Sequence, residues 1–217
     1  MGYIPIVISS QIAGLLSDVA AMYSQLTVCI CLYLHSKLDS AKKDFIDNLN
    51  QLASSYYDSI GNVYNVVKEV TYYADTIRTY GCAGRKLFLI NGGKPLVKAA
   101  NREGLNCRNQ QLALDIAIRL SDFQQVEGGF MNRYDVVFVS IDTNGIDKST
   151  NAAGALSYVN LVKDALIHSD LDATSFLRNN DSDSFFSKFQ NGFCHISTAD
   201  HTETEAMDIH FLMIGTK

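Results

Sequence analysis

The sequence predicts an α+β fold: a long N-terminal helical hairpin or bundle arm over residues 1–80, then a small mixed or antiparallel sheet covered by helices over residues 81–217. Three observations indicate this. Helix breakers are scarce in residues 1–80, and a heptad-like apolar pattern runs through the second half of this part. Residues 81–217 alternate short apolar runs with helical patterns. No Pro- or Gly-rich linker separates the parts, so we expect one continuous structural unit.

The N-terminal segment 4–34 is nearly free of charge, so a membrane-spanning helix has to be considered. Asp18 is its one charged residue, and about 20 apolar residues suffice to cross a bilayer. Ser, Gln and Thr nevertheless interrupt the segment at short intervals. A helix buried in a bundle or in a subunit interface explains this pattern better. Membrane contact is therefore the disfavoured alternative.

A second helical stretch carries apolar or aromatic residues in two heptad phases from residue 45 to residue 80, interrupted at Ser59. The upstream apolar repeat is out of phase with it, which predicts a break between the helices near residues 35–40. The apolar stripe of the second stretch, which we call the seam, is longer than the first helix can cover. We therefore predict that it is an interface with further copies or with other structural proteins, formed by Leu49, Leu52, Tyr56, Val63, Val66, Val70, Tyr73 and Ile77.

From residue 86 onward, the sequence pattern predicts the order strand, helix, helix, strand, helix, strand, strand. The strongest strand, residues 134–141, is apolar on both alternations and should be central in the sheet. A helix is expected over residues 109–123. The runs 193–199 and 207–214 predict two strands of a hairpin with a long loop.

Composition limits the function classes. With 217 residues, 47% hydrophobic and 19% charged, the chain can bury a core, which excludes disorder as its main state. A net charge of −5 leaves no excess of cations for phosphates, so nucleic acid is not expected as a partner. The five cysteines lack a disulfide-framework spacing and indicate a reducing compartment. We expect assembly in the cytoplasm, with a virion as a destination.

Potential ligands and catalytic side chains are densest near the C-terminus. Neighbours on a strand point to opposite faces, so this group cannot all converge, and no phosphate-loop, nucleophile-elbow or zinc motif is present. We therefore predict no catalytic residues, no cofactor and no metal site. The group consists of Cys194, His195, Asp200, His201, Glu203, Glu205, Asp208 and His210.

These features favour a non-enzymatic structural subunit that self-assembles or packs with partner proteins through long helices. The element order after residue 86 is similar, at the level of fold alone, to ring-forming phage neck or tail-completion proteins, which implies a virion component. No family motif accompanies this similarity. Two alternatives stay open: an enzyme or small-ligand domain with a site at the C-terminal His/Asp/Glu group, and a membrane-active helical protein.

Overall fold

The chain folds around one mixed sheet with strand order β1-β2-β6-β3-β4-β5. The strands are β1 (Gly2–Ile12), β2 (Arg85–Gly93), β3 (Tyr134–Ile141), β4 (Gly154–Tyr158), β5 (His195–Ile196) and β6 (Asp208–Thr216). β1, β2, β3 and β5 run in one direction, and β4 and β6 run in the other. The structure is a computed structural model that describes residues 2–60, 63–80, 85–98, 107–126, 128–148, 150–197, 202, 204 and 206–217.

The helices form a layer against one face of this sheet. α1, α2 and α4 contact one another, and α5 contacts α1, β3, β4 and the short helices α6, α7 and α8. Strand residues that face this layer are buried, whereas their neighbours on the other face are largely half-buried. The helices are α1 (Leu16–His35), α2 (Ala41–Ser55), α3 (Tyr57–Ile60), α4 (Val63–Tyr80), α5 (Arg108–Val126), α6 (Leu161–Ser169), α7 (Ala173–Arg178) and α8 (Ser182–Lys188).

The core lies between the sheet and the helices and is continuous from the first strand to the last. β3 and β6 contribute alternate residues to it, and α5 contributes a wide apolar surface because it is covered by helices on one side and strands on the other. Fully buried members from the sheet, α5 and α8 include Leu87, Leu89, Leu112, Ile116, Phe138, Phe185, Phe186 and Leu212.

The expected helical arm followed by a small sheet is wrong. Residues 2–12 form an edge strand that pairs in parallel with β2, and helix begins only at Leu16. The N-terminal run is rich in isoleucine and valine, and a short run of this kind fits a buried strand as well as a helix. The predicted break near residues 35–40 is confirmed, since α1 ends at His35 and α2 begins at Ala41.

The expected C-terminal hairpin is also wrong. β5 lies at the far edge beside β4, whereas β6 lies in the middle, between β2 and β3. Local sequence patterns identify strands but do not specify which distant strands pair, and here the last strand inserts between two earlier ones. Gly81 and Gly84, which the sequence predicts to end the long helix because glycine is common just after helix ends, lie outside the described residues.

The predicted interface seam is largely internal to the chain. Leu49, Leu52, Val66, Val70 and Ile77 are buried in the chain's own core, and Tyr56 and Tyr73 pack against it. The side chain of Val63 is not among those that the structure describes. Contacts with α1 and β1 provide the cover that the helix lengths had seemed to lack. Association of copies through the seam stays a prediction, and the fold itself does not require it.

Helix α1 has the length and composition of a membrane-spanning helix, with a mean hydropathy of 1.3. In this fold, 61% of its most apolar window is buried by the rest of the chain. The same pattern is typical of the core helix of a protein that does not enter a membrane. Two of the polar interruptions are satisfied within the helix, since the hydroxyls of Ser24 and Thr27 donate to carbonyl oxygens one turn earlier.

We predict that Leu212→Ala lowers the free energy of unfolding by about 2–5 kcal/mol, because it leaves a cavity in the core. Leu212 is 0% exposed in the middle of the sheet. The matched substitution Leu166→Ala, on α6 at a side chain that is 58% exposed, should change it by less than about 0.5 kcal/mol. Urea unfolding followed by circular dichroism measures both variants. Equal effects would contradict the described packing.

Candidate functional site

Several connections meet at one edge of the sheet. β2 ends there at Gly93 and β3 at Ile141, while β4 and β6 begin there. Helix α5 begins beside the same edge, since its first residue, Arg108, contacts Asp208 at the start of β6. Loops at the carboxyl ends of strands are the usual place for ligand sites in α/β proteins. This edge is therefore the first place to look for one.

The core face of the sheet changes from apolar to polar as it approaches this edge. Leu212 of β6 lies between Leu89 and Phe138 in an apolar row. One row nearer the edge, His210 lies between Asn91 and Ser140, and all three are buried. A buried polar row in an otherwise apolar sheet is costly unless its groups are bonded. It therefore marks a place where packing alone does not explain the sequence.

The first turn of α5 is anchored by a buried carboxylate, that of Asp147, which is 1% exposed. The backbone N–H of Gln110 donates to Asp147 Oδ2 at 2.9 Å, so the acid lies at the positive end of the helix dipole. Burial raises the pKa of Asp147 to about 6, although hydrogen bonds from the backbones of Gln110 and Asn109 oppose the rise. Asp147 thereby takes a position that a bound anion takes at other helix N-termini.

Arg108 forms the main ion pair of the site. Its Nε and Nη2 both donate to the Asp208 carboxylate, with Nη2 at 2.6 Å from Oδ1. Nη2 also lies 3.4 Å from Asp142 Oδ2. The Asp208 side chain is 1% exposed and that of Arg108 is 21% exposed, so the buried acid fixes a guanidinium that reaches the edge. The bond to Asp208 raises the pKa of Arg108, which stays charged.

The next two residues of α5 contact two further strands. Ser140 Oγ of β3 donates to Asn109 Oδ1 at 2.5 Å. Gln110 Oε1 lies 3.0 Å from His195 Nε2 of β5, and that nitrogen is also 3.2 Å from Asp183 Oδ1. Three consecutive side chains thus bind three different strands at one end of the sheet.

His210 and Tyr23 form a buried pair behind the site, with Tyr23 Oη 3.0 Å from His210 Nδ1. Burial, together with the positive charge of Arg108, lowers the pKa of His210 to about 3. The ring is therefore neutral at physiological pH. Among the described residues, His210 Nε2 and the amide of Asn91 have no hydrogen-bond partner. Such groups are uncommon in native cores.

The structure brings only part of the predicted C-terminal group together. Asp208 and His195 both contact the first turn of α5, whereas His210 faces Tyr23 and Cys194 is buried. Asp200, His201, Glu203 and Glu205 lie outside the described residues. Across the described part of the chain, no group of three or more His, Cys, Asp or Glu side chains could hold a metal ion.

Sequence reasoning missed Arg108, Asn109, Gln110, Asp142 and Asp147. One signal was available: the polar residues 108–111 open the helical pattern as an uninterrupted run. In the structure, Asn109 and Gln110 are 0% exposed. A second was the acidic turn that follows the strongest strand. Neither shows from sequence alone that the two segments meet, because this depends on the position of β6 in the sheet.

A cavity of ≈ 390 Å³ lies elsewhere, between α1, α2 and α5, and is lined by side chains that include Gln25, Gln51, Arg119 and Phe123. Its size is within the range of small-ligand pockets. We call the group at the end of the sheet the polar edge; it consists of Arg108, Asn109, Gln110, Asp142, Asp147 and Asp208. None of these residues lines the cavity. We therefore locate the candidate site at the edge, where the charged groups are.

We predict that the free energy of unfolding of the wild type, minus that of Asp147→Asn, decreases as the pH rises from 4 to 7. The folded carboxyl has a pKa of about 6 and the unfolded one about 4. Folding therefore takes up a proton between these values, and ionisation above them costs on the order of 3 kcal/mol. Urea unfolding across this pH range measures the difference.

Asp39→Asn, at an exposed aspartate, is the control for this comparison. It should leave the pH dependence of unfolding unchanged. A wild-type advantage over Asp147→Asn that grows with pH would contradict the burial of this carboxyl.

Comparison with known proteins gives a consistent result. The profile of the MOFRL family matches residues 87–208, which include every site residue from Arg108 to Asp208. Glycerate kinase of Bos taurus is 30% identical over 214 residues, covering 99% of this chain and 37% of that protein. Glycerate kinase of Danio rerio is 37% identical over 126 residues, covering 58% of this chain and 23% of that protein. The matched part thus spans 37% of the first relative's length and 23% of the second's.

Two solved structures share the fold. A crystal structure of glycerate kinase from Thermotoga maritima has a TM-score of 0.58 and 19% identity, covering 99% of this chain and 37% of that one. A protein of Pyrococcus horikoshii has a TM-score of 0.60 and 15% identity, covering 100% of this chain and 35% of that one. At these identities the likeness supports the fold alone.

These findings overturn the expectation of a non-enzymatic structural subunit and of a phage virion component. Relatives that match nearly the whole chain carry the name of a kinase, so the findings point to an enzyme. The helical-bundle interpretation is also wrong, because the fold shared with the solved structure is a mixed sheet covered by helices. The match over residues 87–208, more than half of the sequence, shows that the chain belongs to the MOFRL family.

Proposed function

We propose that this chain is part of a kinase that phosphorylates glycerate, and that its polar edge contacts the anionic substrate. The observation that carries the proposal is Arg108, fixed by a buried carboxylate at the edge where the strands end, in a chain that is similar over 99% of its length to a glycerate kinase. The activity belongs to those relatives, which are longer, and this chain supplies a part of such a protein.

Phosphoryl transfer to a hydroxy acid needs cationic groups held in place, because negative charge must be bound and redistributed. Arg108 fits this task, since its guanidinium is partly exposed while Asp208 beneath it is not. Arginine also matches carboxylate and phosphoryl oxygens in a bidentate geometry. We assign Arg108 to substrate contact and Asp208 to positioning Arg108.

The helix N-terminus itself has a structural role in this proposal. Asp147 accepts a backbone N–H of the first turn of α5, and this N–H belongs to the set that binds phosphates in other folds. The turn therefore positions Arg108 and Gln110. The described residues offer no cluster that would hold a metal ion, and no step of the proposal passes through one.

We predict that Arg108→Ala lowers kcat/KM for glycerate phosphorylation by about 10²–10³, the usual effect of removing a charge-stabilising group. The whole kinase that contains this chain is purified and assayed for glycerate-dependent consumption of ATP, and glycerate binding is measured by calorimetry alongside turnover. Arg178→Ala, at an exposed arginine on α7, should behave like the wild type.

Removing Arg108 leaves Asp208 buried without its partner, which can destabilise the fold by about 3–5 kcal/mol. Arg108→Lys keeps the charge and loses the bidentate geometry, so it should remain folded with weakened substrate binding. Wild-type binding and turnover in a folded Arg108→Lys variant would contradict the role of Arg108. Absence of both glycerate binding and turnover in the wild type would contradict the proposed function.

A further inference from the structure

The cavity of ≈ 390 Å³ between α1, α2 and α5 is separate from the polar edge. α2 and α5 both pack against α1, and the cavity lies where they do not close over it. Short side chains, those of Ala21, Ser24 and Ser55, leave space there. Arg119 of α5, which lines the cavity, follows Arg108 by 11 residues. This spacing places it about 16 Å further along the helix.

The cavity carries a positive charge, that of Arg119. Among the described residues that line it, no aspartate, glutamate or lysine accompanies this arginine, although the sequence as a whole has a net charge of −5. The other polar lining groups are hydroxyls and the amides of Gln25, Asn48 and Gln51. The cavity therefore presents a cation that no described carboxylate inside it neutralises.

The guanidinium of Arg119 is held from outside the cavity by Asp115, one turn earlier on α5. Arg119 Nε donates to Asp115 Oδ1 at 2.8 Å. Asp115 is 7% exposed and does not line the cavity, whereas the side chain of Arg119 is 38% exposed and does. This bond uses one of the five N–H donors of a guanidinium. Among the described residues it is the one hydrogen bond that Arg119 donates, so both Nη nitrogens remain for a bound anion.

The cavity also has an apolar part. Val28 of α1, Leu52 of α2 and Phe123 of α5 line it. Phe123 follows Arg119 by four residues, so both lie on the same side of the helix. Apolar and aromatic walls with a few polar groups are typical of small-molecule sites. One cation matches the single charge of a carboxylate better than the nearly double charge of a phosphate monoester.

We propose that this cavity binds a small organic carboxylate with an apolar body, at a site distinct from the polar edge. The carboxylate pairs with the Nη nitrogens of Arg119, a geometry in which two parallel hydrogen bonds form. The apolar body packs against Phe123 and Leu52. Gln25 is already oriented at the side of the cavity, because its Nε2 donates to Tyr56 Oη at 3.0 Å, and its Oε1 can accept a bond from the ligand.

The test uses the whole protein that contains this chain, titrated in a calorimeter with phenylacetate and with its uncharged amide, phenylacetamide. We expect phenylacetate to bind at least about tenfold more tightly, because the amide lacks the charge-assisted bonds to Arg119. Ala21→Leu fills the cavity and should abolish the binding of both compounds. Asp115→Asn combined with Arg119→Gln removes the cation without leaving a buried acid unpaired, and should make the two affinities equal.

The matched control is Arg108→Lys, at the other arginine of α5 that a buried acid holds. It should leave phenylacetate binding unchanged, because the polar edge is a different site. Circular dichroism and urea unfolding establish that the variants are folded, and the comparison of acid with amide in the wild type needs no variant.

Absence of phenylacetate binding to the wild type at millimolar concentrations would overturn the proposal, and so would equal wild-type affinities for the acid and the amide. Undiminished binding to a folded Ala21→Leu protein, or loss of binding in a folded Arg108→Lys protein, would place the site elsewhere and overturn it as well. None of these results depends on glycerate kinase activity.

Discussion

The structure depends on the insertion of its last strand. β6 pairs antiparallel with both β2 and β3, which come much earlier in the chain. Without it the sheet would divide into the pair β1-β2 and the strands β3, β4 and β5. Units of so few short strands are marginal in water, so one core exists only when β6 is in place. Folding therefore requires contacts between residues that are far apart in the sequence, and such contacts are typical of slow-folding topologies.

The same insertion forms the polar edge. β6 carries Asp208 to Arg108 and places His210 beside Ser140. The first turn of α5 then contacts β6, β3 and β5 through three consecutive side chains. Each buried polar group is costly alone and is stabilised by its partner. The position of Arg108 is thus set jointly by a helix, a buried acid and the strand order, which is the rigidity that a substrate contact needs.

Sequence alone predicts those features that local pattern determines. The central strand 134–141 and the helix near residues 109–123 are found as β3 and α5. β1 is missed because a short run of isoleucine and valine has no decisive period, and its parallel partner lies far along the chain. The heptad seam fits an internal helix layer as well as an intermolecular one. The site is missed because Asp142, Asp147 and Asp208 meet α5 only through the strand order.

Only 19% of the residues are charged. The sequence pattern suggests that apolar helix surfaces reserved for other proteins account for this, but the structure points to the sheet. Most of the helical seam is satisfied inside the chain, whereas β2, β3 and β6 are apolar on both alternations. Their second face adds apolar residues that the core does not use. That face and the polar edge are separate surfaces, because the site residues of β3 and β6 point toward the helices. A contact on the second face of the sheet would therefore leave Arg108 accessible at the edge.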